Sequence, residues 1–445
     1  KRHINKMKRT FKLTILLIIM TLSNLSQAGV AISSYKTKNG IDVLYTKSEN
    51  IPMIDIKITF DAGSNKDGDL KGLSMITHSL LDEGTSKMNS EDIASSFEST
   101  GAIFSASANK DKSSISLRSL TEKKYLDPSV KMFLKILSDS VFPEHEINLQ
   151  RERVVSSIIE DETDPGEVAI NSFFKEIYGS HSYAFPTIGA KDSLKKIKRK
   201  DIVDFYNNNI TVSNAKIVIV SSLSKKDVID LSEKISKSLS KNKSLKNKVN
   251  ILNKNPKEKY IYKKFNSEQA HIYIGGLAIK RGSQKQLPLY VGNYIFGGSG
   301  FSARLMQELR VKRGLTYGVY SYLYPMKDTG PFIIGIETQA TQAQESIKLI
   351  HEMLKEFYSK GPTDKELRHA KESIINGFPL SIDSNSDILN YLSMINYYNL
   401  PLDYLSTFTS NISKVTKKDI MLAFKEEIDV SKLITLVVGN EKAKK

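Results

Sequence analysis

The chain of 445 residues contains no cysteine. This excludes disulfides, cysteine-ligated zinc and thiol nucleophiles together. Stability is therefore left to core packing, which a chain of this length can supply. The chain also lacks an apolar run long enough to cross a bilayer. Its longest, Leu13 to Leu22, falls well short of the ~20 residues a spanning helix needs. A third absence concerns nucleic acid. The formal charge is +16, yet no zinc-finger, RNA-recognition or helix-turn-helix pattern accompanies it.

The distribution of that charge explains it without such a partner. Six positive residues lie within the first 28, which leaves about +10 for the rest. Residues 234–264 hold eleven lysines against one acid, Glu258, and the remainder is close to neutral. A lysine run of this kind reads as a solvated linker.

The content, 40% hydrophobic and 26% charged, is that of a globular protein, and the length predicts more than one domain. Residues 1–28 read as a secretory signal: a basic start, the Leu13–Leu22 apolar core, and Ser26-Gln27-Ala28 as a small-x-small cleavage site. The expectation is an exported, periplasmic protein with no membrane anchor after cleavage.

The low-complexity stretch 236–258 divides the remainder into two halves, 29–235 and 259–445, both mixed α/β. Residues 41–64 and 259–283 each form a pair of alternating strands, one ending Ala-Gly-Ser and the other Arg-Gly-Ser. A helix-like segment follows each, Leu70 to Asp82 and Gln286 to Ile295. Periodicity predicts further helices over 90–99, 125–141, 144–160, 342–358 and 363–378, the last opened by a Thr-Asp-Lys-Glu capping box. Strands are predicted over 112–118, 215–221, 318–324, 331–337 and 433–438. His351, beside the apolar face of one helix, reads as a solvated or capped side chain.

Residues 72–85, Gly-Leu-Ser-Met-Ile-Thr-His-Ser-Leu-Leu-Asp-Glu-Gly-Thr, have the frame of a zinc-protease helix. In such a helix His-x-x-Glu-His sets two imidazoles on one face with a glutamate as general base. The segment resembles the first motif of the pitrilysin/insulinase (M16) family, with Gly72, Leu73, Gly84 and Thr85 as frame. Further likenesses lie at 97–111, 181–222, 294–321 and 361–384, in the family's order.

The resemblance implies an α+β fold of two homologous halves of the LuxS/mitochondrial-processing-peptidase type. Each half would be a mostly antiparallel sheet covered by helices. The three functional positions of the motif fall on Met75, His78 and Ser79. A thioether and a hydroxyl do not replace imidazoles on zinc. The third ligand position of active members falls on Ser157 or Ile158. The expectation is no metal and no catalytic residue in this chain. A makeshift site of His78, Asp82 and Glu160 is the rival; the preferred reading pairs His78 with Asp82 on the helix surface.

The second half matches the family differently. Arg310 and Tyr317 stand where active members place an Arg and a Tyr that hold the substrate backbone and support its developing oxyanion. An Arg fork and a Tyr hydroxyl are donors suited to that charge. Ser302 to Arg313 reads as a helix with Leu305, Met306 and Leu309 inward, ended by Gly314 before a strand. The glycine-rich stretch 297–300 is either a substrate-contacting loop, as in the family, or a plain connection. The resemblance implies the zinc-free subunit of a heterodimeric peptidase. A His-x-x-Glu-His homologue would supply the zinc, and peptides would be the substrates. The alternatives are a non-hydrolytic structural or chaperone-like protein and a solitary peptidase with a remodelled metal site.

Overall fold

The computed structural model describes residues 30–49, 51–242, 252 and 258–445. The signal expected at 1–28 and most of the linker lie outside the described residues. Two sheets organise the rest. The first comprises β1 (Ser33–Lys36), β2 (Asp42–Lys47), β3 (Met53–Phe60), β4 (Ile103–Ala108), β5 (Ser113–Leu120) and β6 (Ala215–Ser221), in the order β1-β2-β6-β3-β5-β4. The second comprises β7 (Lys259–Lys264), β8 (Gln269–Ile279), β9 (Thr316–Leu323), β10 (Gly330–Gln339) and β11 (Ile434–Gly439), in the order β7-β11-β8-β10-β9.

The second sheet repeats the first without β1. In both, the last strand of the half inserts between the first pair, parallel to one member (β6 to β2, β11 to β7) and antiparallel to the other. The halves are homologous in topology, as the paired strand signals at 41–64 and 259–283 implied.

The inserted strands are the most apolar because both their faces are covered. Ile217, Val218, Ile219 and Val220 in β6, and Leu436, Val437 and Val438 in β11, are fully buried. Such continuous runs mark strands sandwiched between layers. By contrast β5 alternates buried and half-buried residues along its length.

One face of each sheet is covered by its own half's helices, as in the cluster joining Ile56 and Ile58 to Ile76, Phe133 and Ile136. The other face is covered by a helix from the opposite half. Helix Pro165–Tyr178 sends Ala169, Phe173 and Ile177 onto Ile434, Leu436 and Val438 of the second sheet. Helix Asn385–Tyr397 sends Leu389, Leu392 and Ile395 onto Leu44, Val218 and Val220 of the first.

Neither crossing helix was read from the sequence, although both carry starting signals. Asp164 caps the first, accepting from Glu167 N at 2.8 Å with Pro165 at the first turn, and Ser384 caps the second, accepting from Asp387 N at 3.2 Å. Burying one large aromatic such as Phe173 contributes about 2–3 kcal/mol, so the exchange ties the halves together. The first half also runs past residue 235: helix Lys225–Ser238 continues, and Ser240 bridges Thr211.

A polar knot completes the junction. The β4–β5 and β9–β10 turns, equivalent in the two halves, both carry Lys-Asp, at 110–111 and 327–328. Buried Asp111 accepts from the Tyr183 hydroxyl, from the Tyr398 hydroxyl at 2.7 Å and from Lys327 N at 2.7 Å. The Tyr397 hydroxyl lies 2.8 Å from the Asp111 carbonyl and 2.9 Å from Asp61 Oδ1.

Candidate functional site

The helix at the degenerate motif is shorter than expected, Leu73–Ser79. Gly72 opens it with φ 97°, and a Cβ there would lie 2.9 Å from the Ile188 carbonyl oxygen, so only glycine fits the turn. The Asp67 carboxylate caps this end, accepting from Gly72 N and Ser74 N, both at 2.8 Å. Burial pushes that carboxyl up to about 7, against the pull of the backbone N–H groups.

Leu73 and Ile76 then point into the first-half core, with Met75 packed half-buried against it. Ser79 donates to the Ile76 carbonyl at 3.0 Å. Both former ligand positions are thus occupied by the helix's own packing and hydrogen bonding.

His78 departs from the sequence reading. It is not paired with Asp82 on the surface; it is 1% exposed. Its Nδ1 lies 2.7 Å from the Ser74 carbonyl, which makes Nδ1–H the donor, and its ring meets Phe205 edge-on at 6.4 Å. Nε2 is buried without a hydrogen-bond partner. Burial pushes the imidazole down to about 4, so it is neutral at pH 7. The helix stops at Ser79, so the turn that would have brought Asp82 beneath His78 is absent.

On the neighbouring helix Glu144–Asp161, Ser157 is half-buried, Ile158 belongs to the core and Glu160 is exposed. Among the described residues no group of three or more His, Cys, Asp or Glu side chains is placed to hold a metal ion. The donors present do not fit a zinc site.

In the second half the expected helix begins after a 3₁₀ turn and widens into a π-helix over Met306–Lys312. Leu305, Met306 and Leu309 are buried as predicted, and Gly314, at φ 64°, ends the segment with its N–H on the Arg310 carbonyl. A π-helix inserts an extra residue per turn and often marks functional positions.

Arg310 emerges half-buried, its Nη1 donating to the Tyr317 carbonyl at 2.7 Å and its guanidinium 4.6 Å over the Phe301 ring. Arg310 and Tyr317 are therefore brought together, though through the backbone of Tyr317 and not its hydroxyl. The Tyr317 side chain is 85% exposed. It is thrown outward because β9 bulges there: Thr316 pairs Thr338 and Gly318 pairs Glu337, leaving Tyr317 unopposed.

Within residues 297–300, read as a substrate-contacting loop or a plain connection, Gly297 packs against β9. A Cβ on Gly297 would fall 2.4 Å from Ser321 Oγ and 2.7 Å from Ser321 N, so this glycine lets the turn seat against β9. Asn293 reinforces the contact, donating to the Ser321 carbonyl at 3.0 Å and accepting from its hydroxyl at 2.7 Å. His351, read as solvated or capped, is half-buried with Nε2 3.0 Å from Thr435 Oγ1.

Three comparisons place this arrangement. The signature described as insulinase (peptidase family M16) matches residues 42–191, and the one described as peptidase M16 inactive domain matches 196–374. A crystal structure of a peptidase M16 inactive domain from Pseudomonas fluorescens superposes with a TM-score of 0.89 at 32% identity, covering 94% of this chain and 100% of that one. A Helicobacter pylori protein named "Non-peptidase homolog YmxG" is 26% identical over 91% of this chain and 93% of its own. The "Uncharacterized zinc protease YmxG" of Bacillus subtilis is 26% identical over 80% and 85%. With its duplicated fold, its altered zinc-motif helix and these matches, the chain belongs to the M16 peptidase family.

Proposed function

We propose that this chain is the zinc-free subunit of a two-chain M16 peptidase, presenting peptide to a partner that carries His-x-x-Glu-His. The observation that carries the reading is the contrast between two motif sites. At one, His78 is buried and neutral, with Met75 and Ser79 absorbed into their own helix. At the other, Arg310 and Tyr317 remain at the surface, built up by a π-helix, a β-bulge and a close glycine contact.

The partner's zinc would supply the activated water. The role of this chain is to bind and orient. Arg310 donates to a peptide carbonyl and favours the charge that develops on its oxygen, and exposed Tyr317 offers a second donor. Export to the periplasm belongs to the same proposal and rests on residues 1–28.

The test is Arg310→Ala in the complex with an M16 homologue bearing the intact motif. Loss of one oxyanion donor lowers kcat by about 10²–10³-fold, with zinc content unchanged. Unaltered turnover would remove Arg310 from the reaction. A second reading, a non-hydrolytic peptide-binding or structural subunit, draws its support from the Helicobacter pylori relative named "Non-peptidase homolog YmxG". It predicts peptide binding without cleavage in every mixture.

A further inference from the structure

Arg310 and Tyr317 meet over a buried side chain. Thr316 opens β9 and is buried, while the two residues after it, Tyr317 and Gly318, are exposed. In an unbroken antiparallel ladder each β9 residue would face one β10 residue, with N–H groups meeting carbonyls across the gap. Here Thr316 pairs Thr338 and Gly318 pairs Glu337, so one residue of β9 is left over. A bulge of this kind breaks the ladder locally and leaves backbone groups to find other partners.

The Thr316 hydroxyl supplies them. Its single proton lies between the Glu337 carbonyl oxygen, at 2.5 Å, and that of Gly318, at 2.8 Å. Its oxygen accepts from Gly318 N at 2.9 Å. A threonine hydroxyl both donates and accepts, so one side chain serves both strands at the break. Buried Thr338, its partner on β10, donates to the Leu315 carbonyl at 2.6 Å. Leu315 N in turn reaches the Leu309 carbonyl at 2.8 Å. The start of β9 is thereby pinned to the π-helix that carries Arg310.

What the bulge frees is the Tyr317 carbonyl. With no β10 residue opposite it, that oxygen accepts from Arg310 Nη1 at 2.7 Å. The same kink turns the Tyr317 side chain into solvent. The orientation of the guanidinium and that of the phenol therefore share one cause.

We propose that Thr316 is a positioning residue, whose hydroxyl maintains the β9 bulge and through it sets both the Arg310 guanidinium and the Tyr317 side chain for peptide. Its purpose rests on the peptide-binding reading above; its geometry rests on the bulge alone. Valine keeps the branched shape and strand preference of threonine but has no hydroxyl. In Thr316→Val the Glu337 carbonyl and Gly318 N–H regain partners when β9 slips by one residue. Such a slip sends side chains to the opposite face and draws the Tyr317 carbonyl into the ladder, away from Arg310.

Two measurements on the full chain test this. The first is the crystal structure of Thr316→Val. It is expected to show Tyr317 opposite a β10 residue and Arg310 Nη1 released from its carbonyl. An unchanged bulge with the Arg310 bond intact overturns the assignment. Thr316→Ala, which also lacks the hydroxyl, is the second variant and is expected to behave in the same way.

The second measurement is fluorescence anisotropy with a fluorescein-labelled randomised decapeptide. Thr316→Val is expected to weaken binding about tenfold, the weight of one hydrogen bond from a charged donor. It should add nothing to Arg310→Ala in the double variant, because both remove the same interaction. Thr316→Ser restores the hydroxyl and should bind as the wild type does. A threonine that only stabilises the sheet lowers Tm in Thr316→Val and leaves binding unchanged; that result overturns the positioning role and keeps the peptide reading. Additive losses in the double variant overturn it too, since Thr316 would then act independently of Arg310. A wild-type chain that binds no decapeptide removes the peptide reading, and the crystal structure then decides whether Thr316 sets the pair.

Discussion

The two halves share a sheet order and differ in what they do with the equivalent region beside it. The first half has turned its motif helix into packing: Leu73 and Ile76 face the core, His78 is sealed within it and Ile158 fills the third position. The second half spends local irregularity on keeping side chains outside. The π-helix at Met306–Lys312 and the bulge at Tyr317 cost regular hydrogen bonding, and the buried Leu305 and Leu309 compensate for them. A duplicated fold can thus differ at the equivalent region of its two copies, because the sheet and its covering helices do not depend on either.

The comparison can be broken most severely by restoring the motif. Met75→His, His78→Glu and Ser79→His together place a carboxylate where His78 is now fully enclosed. The expected cost is about 3–5 kcal/mol, read by chemical denaturation, with no stoichiometric zinc in metal analysis. Zinc at one equivalent would show that the first half is still a site.

The next effect is a pH slope. His78 titrates at about 4 folded against 6.5 unfolded, so the unfolded chain takes up its proton first as pH falls. Stability present above the unfolded value is lost between the two. Relative to wild type, His78→Leu should gain on the order of 3 kcal/mol between pH 7 and pH 4. Asp67, raised to about 7, has the opposite slope: its contribution is full at low pH and lost as pH rises through 7. Single-site variants measured by denaturation at several pH values separate the two.

Gly297→Ala sharpens the second-half side. Its Cβ would press on Ser321, costing about 1–3 kcal/mol and weakening peptide binding with it. The smallest effect on stability is Arg310→Ala. Its bond is at the surface, and a change under about 1 kcal/mol is expected in thermal denaturation.

Much of this was legible in the chain. The paired strand signals located β2 with β3 and β7 with β8, and Thr363 caps Asp364–Gly377 through the capping box read from its sequence. The inserted partner strands were seen as strands, but nothing local could show that β6 and β11 enter between those pairs, since pairing is a long-range outcome. The crossing helices were missed for a related reason. Helix Pro165–Tyr178 buries one face on the opposite half, so its apolar residues answer to a surface far away in sequence.

His78 was misread because helix pattern alone extended the helix to Asp82. The actual end at Ser79 is set by Leu80 and Leu81 turning into the core.

The most direct measurement is reconstitution. Peptide cleavage and bound zinc are measured for this chain alone, for an M16 homologue carrying intact His-x-x-Glu-His alone, and for the two mixed. The account predicts no zinc and no cleavage from this chain, and cleavage by the mixture well above that of the homologue, lost with Arg310→Ala. Zinc-dependent cleavage by this chain alone, or a mixture no more active than the homologue, would contradict it.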